Sequence, residues 1–323
     1  MKKLCLYLVI LCICQTGYSQ TCCSGGVPVS SNIGFTNKQS NTLQLSLSAN
    51  YNTLTTLYTE SQKLQDEQRK RTTQSYLIRA HYSISEKFAV ETFVPFVRQT
   101  RSIYSSSSNN LDFESSFGIG DPIVLGSYKI FDSSFKLTLG VGPQIPLGSF
   151  TQRNSRGLLL VEDLQPGSGA WDLVVLGIAE YSLPSRPTTN LFSRAIYSYT
   201  GSNDESRNGL QTYEFGNDIQ VIAGVADQFL LAKRIVTPSL ALRYRFAEQD
   251  AIDFIPSSGT GGNWVFAKAT LGVEFFWESS LSLDIEIPIR TFVNDTQLSP
   301  DSIVTISWSK SFQFSKNEVL INF

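Results

Sequence analysis

The sequence predicts an all-β fold, a transmembrane antiparallel up-and-down β-barrel of about twelve strands. Three observations predict it: stretches of apolar/polar alternation about 9 to 11 residues long, connections that alternate between long and short, and aromatic residues gathered near the ends of the alternating stretches. Composition agrees. Tyr, Phe, Ser, Thr and Gly are plentiful and Met occurs once. Apolar runs such as residues 173–179 are far shorter than the roughly 20 residues of a membrane helix, which excludes a helical inner-membrane protein. The formal net charge of -2 gives no sign of a nucleic-acid or polyanion partner.

The first element is a secretory signal. Lys2 and Lys3 precede an apolar stretch over residues 4–14, and Gly17, Tyr18 and Ser19 form a cleavage site before Gln20, so residues 1–19 are expected to be removed. The apolar stretch is too short for an uncleaved anchor. Cys5, Cys12 and Cys14 leave with it, and the adjacent Cys22 and Cys23 cannot build a disulfide framework. Ser19, Gln20 and Thr21 are a poor lead-in for lipidation of Cys22. Two thiolates with no His or third Cys nearby also make a poor metal site, so no metal or other cofactor is expected. Residues 20–39, with Gly25, Gly26 and Pro28, are a periplasmic segment or a plug; the sequence leaves both open.

Residues 40–314 are the barrel. Leu43, Leu45, Leu47, Ala49 and Tyr51 share one face against Gln44, Ser46, Ser48 and Asn50. Successive side chains of a strand point to opposite sides, so one face meets lipid and the other a wet lumen. Tyr76, Ile78, Ala80, Tyr82 and Ile84 oppose Arg79 and His81. Val265, Ala267, Ala269, Leu271, Val273 and Phe275 oppose Lys268 and Glu274, and Leu281, Leu283, Ile285, Ile287 and Ile289 oppose Ser282, Asp284, Glu286 and Arg290. The remaining strands begin near Phe88, Pro122, Phe135, Trp171, Leu191, Phe215, Val236 and Ser302. Long polar connections over 52–74, 100–117, 148–170, 200–212, 247–263 and 292–301 alternate with tight ones at 85–87, 132–134, 183–187 and 278–280, and a looser one at 227–235. Short periplasmic turns and long external loops then put both termini in the periplasm of a Gram-negative cell.

A soluble β-sandwich also alternates, but its Greek-key connections do not switch regularly between long and short. Interfacial girdles account for Tyr51, Tyr76, Phe88, Phe131, Phe135, Trp171, Tyr181, Tyr199, Phe246 and Trp277 near strand ends. Trp264 falls on the polar parity of its strand, which calls for a bulge before Val265 or for a Trp in the loop. Phe323 is the terminal aromatic typical of barrels delivered to the outer-membrane assembly machinery, an expected partner beside membrane lipid. Residues 315–323 are then a tail or the end of the last strand.

Three segments carry a resemblance: Gly118-Ile119-Gly120-Asp121, Pro143-Gln144-Ile145-Pro146-Leu147-Gly148 and Gly167-Ser168-Gly169-Ala170-Trp171-Asp172. In order and spacing they resemble the outer-membrane barrel transporter family labelled meta-pathway phenol-degradation proteins, over the middle of the chain. The resemblance implies a barrel that moves small aromatic or lipophilic cargo, and it brings no catalytic residues.

Parity sends Arg79, His81, Glu91, Lys129, Lys136, Asp172, Glu180, Arg194, Asp218, Arg243, Arg245, Lys268, Glu274, Asp284, Glu286 and Arg290 into the lumen. The signs nearly balance, so ion pairing is expected in place of the one-sign ladder of a selective ion pore. His81 is the one histidine of the chain, and its expected role is structural. Gly118-Ile119-Gly120 precedes a strand and is not a dinucleotide fingerprint, and no nucleophile elbow is present, so no enzyme is expected. Pro95, Pro122, Pro143 and Pro146, with Pro288, lie inside strands although a closed barrel has no free edge. Bulges or a parted ladder, a lateral opening, are therefore expected at one sector of the outer rim. The functional expectation is an outer-membrane channel or facilitator for small, lipophilic or aromatic molecules. The alternative is a barrel with a filled lumen that acts through its external loops as a surface binding or structural protein.

Overall fold

In the computed structural model, residues 40–105, 110–275 and 278–314 are described. The signal segment, residues 20–39, Trp277 and the tail 315–323 lie outside them. Eleven strands form the wall: β1 (Thr42–Glu60), β2 (Arg69–Ser83), β3 (Phe88–Ser105), β4 (Ile123–Asp132), β5 (Phe135–Gln144), β6 (Asp172–Leu183), β7 (Arg186–Tyr199), β8 (Asp218–Asp227), β9 (Arg234–Ala247), β10 (Gly262–Phe275) and β11 (Ser279–Gln313). Each pairs antiparallel with its neighbours in sequence, and β11 pairs with β1 to close the ring. β11 crosses the wall twice. Its residues from Ser279 to Val293 pair with β10, and those from Thr296 to Gln313 with β1. The reversal sits at Asn294 and Asp295, where Asp295 has φ 56°. The Ser280 and Ser309 hydroxyls, 2.7 Å apart, join the two limbs. The wall therefore has twelve crossings.

Burial follows the pleat. In β1, Thr42, Gln44, Ser46, Ser48 and Asn50 are buried while Leu47 and Tyr51 are exposed on the outside. Apolar side chains at 40–60% exposure on the outer face, such as Ile285, Ile287 and Leu283, are what a lipid-facing surface requires. Tyr51, Tyr76, Phe88, Phe131, Phe135, Trp171, Tyr181, Tyr199 and Phe246 all point outward.

Three of the expected long loops are strand. β1 runs on to Glu60 and β2 begins at Arg69, so most of 52–74 is sheet. β3 extends to Ser105 and pairs with a strand at Asn110–Ile119, which replaces the loop expected at 100–117. The segment 292–301 is the tight reversal inside β11. The Thr-rich run Thr53, Thr55, Thr56 and Thr59 explains the first case: β-branched residues favour strand, but above the membrane neither face needs to be apolar, so the alternation fades while the ladder continues. The looser connection at 227–235 holds a short strand, Phe229–Leu231, paired back onto β9. Its turn residues Ala232 and Lys233 both have positive φ, 49° and 62°, as a two-residue hairpin turn demands.

The remaining loops cover one end of the barrel. Segments after β7 and β9 build a small sheet from Ser202–Asn203, Tyr213–Glu214, Ala251–Ile252 and Ile255–Pro256. The long segment between β5 and β6 folds into the mouth, with a short 3-10 turn at Glu162–Leu164.

Candidate functional site

The inner wall is charged in the middle of the barrel, and its charges are paired. Arg79 binds Glu91, with His81 Nδ1 3.9 Å from the same carboxylate and Ser83 Oγ 3.3 Å from His81 Nε2. Across the lumen Arg243 Nε donates to Glu286 at 2.6 Å, and Lys268 Nζ lies 3.2 Å from Glu286 and 3.0 Å from Asp284. Arg245 Nε donates to Asp218 at 2.6 Å, and Lys129 Nζ to Asp132 at 3.0 Å. Arg194 has Glu180 as its largest opposing charge, and Lys136 stands in register between Asp132 and Glu180. Charges this buried persist only when paired. Guanidinium groups also stack on inward aromatics, Arg243 over Phe266 at 4.0 Å and Arg245 over Trp264 at 5.5 Å.

Three residues, Arg290, Trp264 and Glu274, depart from the sequence expectation. Arg290 is exposed: a register shift at Val265/Phe266 pairs Val265 with Arg290 and Phe266 with Pro288, so Ile289 is an extra residue that turns Arg290 to the outer face beside Val265. Trp264 needs neither a bulge in its own strand nor a place in the loop. It stays in β10, faces inward at 1% exposure and donates from Nε1 to Ser299 Oγ at 3.2 Å. Glu274 is exposed at the turn end.

One sector of the inner wall is apolar. Leu77, Phe93, Ile123, Leu125, Val174, Leu176, Ile178 and Ile196 pack together on the inner faces of β2, β3, β4, β6 and β7. A signal for it was present in the sequence: the unbroken run Leu173, Val174, Val175, Leu176 offers apolar side chains to both faces at once.

At the loop end three glycine-rich segments meet. Asp121 Oδ1 accepts from the Gly148 amide at 2.8 Å, and its Oδ2 accepts from the Ser168 amide at 2.7 Å and the Ser168 hydroxyl at 2.8 Å. Gly148 and Gly167 approach so closely that a Cβ on Gly148 would lie 2.6 Å from the Gly167 Cα. This knot fixes the long segment, which sends Asp163 into the barrel to bind Arg71. Arg71 is fully buried and also donates to Gln99 at 2.5 Å. Gln99 in turn donates to the Gln165 carbonyl at 3.2 Å. The Arg71–Asp163 pair joins residues 92 positions apart, a contact that no local pattern shows.

Beneath the knot lies a cavity of about 190 Å³, walled by residues of β2 to β9 and the loops. Asp250 at its edge accepts from the Tyr213 hydroxyl at 2.6 Å and the Gly216 amide at 2.8 Å. Burial pushes the Asp250 carboxyl up to about 6 and also raises Tyr213. Burial raises Asp121 as well, against the pull of its hydrogen bonds to Ser168 and Gly148.

Of the prolines expected inside strands, Pro95 and Pro143 are there, whereas Pro122 stands just before β4 and Pro146 beyond the end of β5, and the wall is not parted at any of them. Pro95 and Pro122 are buried, Pro146 half-buried, and Pro143 exposed on the outer face. β4 and β5 lose their paired rungs between Ile123/Gln144 and Gly126/Val141, yet the register is the same on both sides. The Gly120 amide bonds Pro95 O and the Ile145 amide bonds Pro122 O, each at 2.8 Å. Gly142 abuts the Val124 carbonyl so tightly that any Cβ there would collide with it. The bulge in this pair lies at the other end, between Lys129 and Phe131.

No protein-family model and no curated protein matches the sequence. Among solved structures, an outer-membrane channel from Pseudomonas putida F1 is similar with a TM-score of 0.67 at 13% identity, over 84% of this chain and 96% of that one. The β domain of the Bordetella autotransporter BrkA has a TM-score of 0.46 at 11% identity, over 83% of this chain and 99% of that one. CymD, a monoaromatic hydrocarbon channel, has 0.41 at 9%, over 86% and 90%. What the chain shares with the first of these is the fold, that of an outer-membrane β-barrel.

Proposed function

We propose that this barrel is an outer-membrane channel or facilitator for small lipophilic or aromatic molecules, with both termini in the periplasm and the loop end outside. The observation that carries the reading is the cavity at the loop end continuing onto the apolar inner sector of Leu77, Phe93, Ile123, Leu125, Val174 and Ile196. A largely apolar wall beside a neutralised set of ion pairs offers a path to an apolar solute and little to a hydrated ion, which needs polar ligands along its way. The resemblance in the three glycine-rich segments, which meet at the mouth of this cavity, supports the same cargo class. Exit to the bilayer belongs to the proline sector, where missing ladder donors make strand separation least costly. The assembly machinery that inserts outer-membrane barrels is the expected partner for biogenesis.

The test is single-channel recording on the purified protein, paired with uptake of a lipophilic tracer into liposomes. Tracer uptake well above empty liposomes, with low ionic conductance, is expected. Ohmic conductance of a wide pore, or no uptake by a well-folded barrel, overturns the reading.

A further inference from the structure

The hairpin of β3 and the strand Asn110–Ile119 rises above the apolar band and has two unlike sides. Register sets Arg98 beside Phe117, Thr100 beside Ser115, Ser102 beside Phe113 and Tyr104 beside Leu111 on the side that faces away from the lumen. The two acids of this upper part take the opposite side, and both are paired there, Glu114 with Arg101 and Asp112 with Arg156. β2 continues the outward side, with Gln74 beside Arg98, Thr72 beside Thr100 and Lys70 beside Ser102. Arg98 and Lys70 are exposed, and among the described residues no salt bridge reaches either. The outward side of these three strands above the band therefore carries positive charge alone.

Its apolar side chains have little over them. Phe113, Phe117 and Leu111 are 53%, 61% and 57% exposed, on a strand whose base, Ile119 beside Phe96, meets the lipid band. Exposed apolar residues gathered in this way mark a contact surface. A second copy of the chain fits poorly, because a two-fold contact through this face would bring the Arg98 and Lys70 cations of both copies together. Order along the strands names a better occupant. The acyl-chain surface at Phe96 and Ile119 is followed by Arg98 and Phe117, then by a row of hydroxyls at Thr72, Thr100 and Ser115, then by Lys70 and Phe113.

We infer that this outward face binds a phosphorylated glycolipid of the outer leaflet, its acyl chains against Phe96 and Ile119, a phosphate on Arg98 and its sugar rings over Phe113 and Phe117. A guanidinium forks two N–H donors onto phosphate oxygens. Ser and Thr hydroxyls both donate and accept, as the hydroxyls of a sugar require, and the C–H faces of a sugar ring pack on aromatic rings. Lys70, beside Ser102 and so about 13 Å further along the wall than Arg98, takes a second anionic group of the same headgroup. A plain phospholipid would satisfy Arg98 and leave the hydroxyl row and Phe113 uncovered. The inference rests on the orientation proposed above and is independent of the cargo.

The experiment titrates the full chain in detergent, with native mass spectrometry as the readout, against rough lipopolysaccharide of short core, the same glycolipid stripped of phosphate, and phosphatidylglycerol. The intact glycolipid is expected to bind at least about tenfold more tightly than either of the others. Arg98→Gln with Lys70→Gln should weaken it about tenfold, and Phe113→Ser with Phe117→Ser about threefold or more, with heat-modifiable gel mobility as the check on folding. Lys310→Gln, at an outward cation of the opposite rim, should change nothing. Equal affinity for the dephosphorylated glycolipid or for phosphatidylglycerol, or dimers of the chain in place of lipid adducts, overturns the proposal without recourse to any variant, and so does parental affinity in the folded Arg98 and Lys70 variant. Orientation is read separately, by labelling Ser155→Cys, at an exposed position of the long segment, on intact cells with a maleimide too large for porins. Labelling without glycolipid binding removes this inference and leaves the orientation, whereas an absence of labelling removes the orientation and this inference with it.

Discussion

Ser168 gives Asp121 two hydrogen bonds, one from its amide at 2.7 Å and one from its hydroxyl at 2.8 Å, across 47 residues of chain. With the Gly148 amide on the other oxygen, a single carboxylate gathers the three glycine-rich segments. Asp121→Ala removes all three bonds and the anchor of the long segment. Hydrogen bonds to a charged group contribute about 1.5–3 kcal/mol each, so the segment should loosen while the wall persists. Trypsin should then cut at Arg153 or Arg156 in the variant and spare the parent; equal resistance in both would remove the knot's assigned role.

Ile285 and Glu286 are neighbours on opposite faces, one 43% exposed and the other 2%. Ile285→Arg sets a charge against lipid and should cost about 2–4 kcal/mol of barrel stability. Glu286→Gln leaves the buried Arg243 without its carboxylate, while Lys268 keeps Asp284, and should cost about 3–5 kcal/mol. Adding Arg243→Met should recover much of the second loss and none of the first, in urea titrations of folding into liposomes. Recovery of both, or of neither, contradicts the assigned faces.

His81 sits between Glu91 and Ser83 on the inner wall. His81→Gln keeps a hydrogen-bonding side chain there, so barrel yield and tracer uptake should stay near the parent. A hydrolytic activity lost selectively in this variant, with folding intact, would revive an enzymatic role.

Pro143 withholds an amide donor within β5 next to Gly142, Pro146 follows just beyond the end of that strand, and proline locks φ near −65°. Pro143→Val with Pro146→Val restores one amide inside β5 and one just past it and should extend the pairing of β4 with β5, slowing lipophile uptake while ionic conductance barely changes. Unchanged uptake in a folded barrel would assign these prolines to the shape of the rim alone; a parallel fall in conductance would move the path to the lumen.

Asp250 carries the pH dependence of the loop sheet. The groups that face it are Tyr213 and the Gly216 amide, with Asp163 adding repulsion and Arg245 attraction. Its carboxyl stands at about 6 in the fold against an ordinary 3.8, so the folded state holds the proton more tightly. Stability from this group is therefore present at low pH and is lost as pH rises through about 6. Amides of residues 213–216 should show higher exchange protection at pH 5 than at pH 7 after correction for intrinsic rates, and Asp250→Asn should abolish the difference. Protection that falls on acidification would reverse the sign.

The wall of this barrel was legible in the sequence because each transmembrane side chain answers to one local variable, the side of the pleat it occupies. Leu43 to Tyr51 and Leu281 to Ile287 announce lipid on alternate positions, and their opposites announce the lumen. Legibility failed where that variable lost its meaning. Above the membrane neither face must be apolar, so the strands past Asn52 and past Gln99 read as loop. At Ile289 one extra residue reversed the parity and moved Arg290 outside. Which charge meets which, and which stay unpaired, was decided by closure alone: Arg71 finds Asp163, and Asp121, Asp172, Glu248 and Asp250 converge on one cavity, because loops far apart in the chain are folded into the same mouth. A near-neutral net charge therefore says nothing about local fields. Alternation tells the side of the wall that most of the charges take, and only the tertiary fold places Arg290 and sets the distances on which their interaction depends.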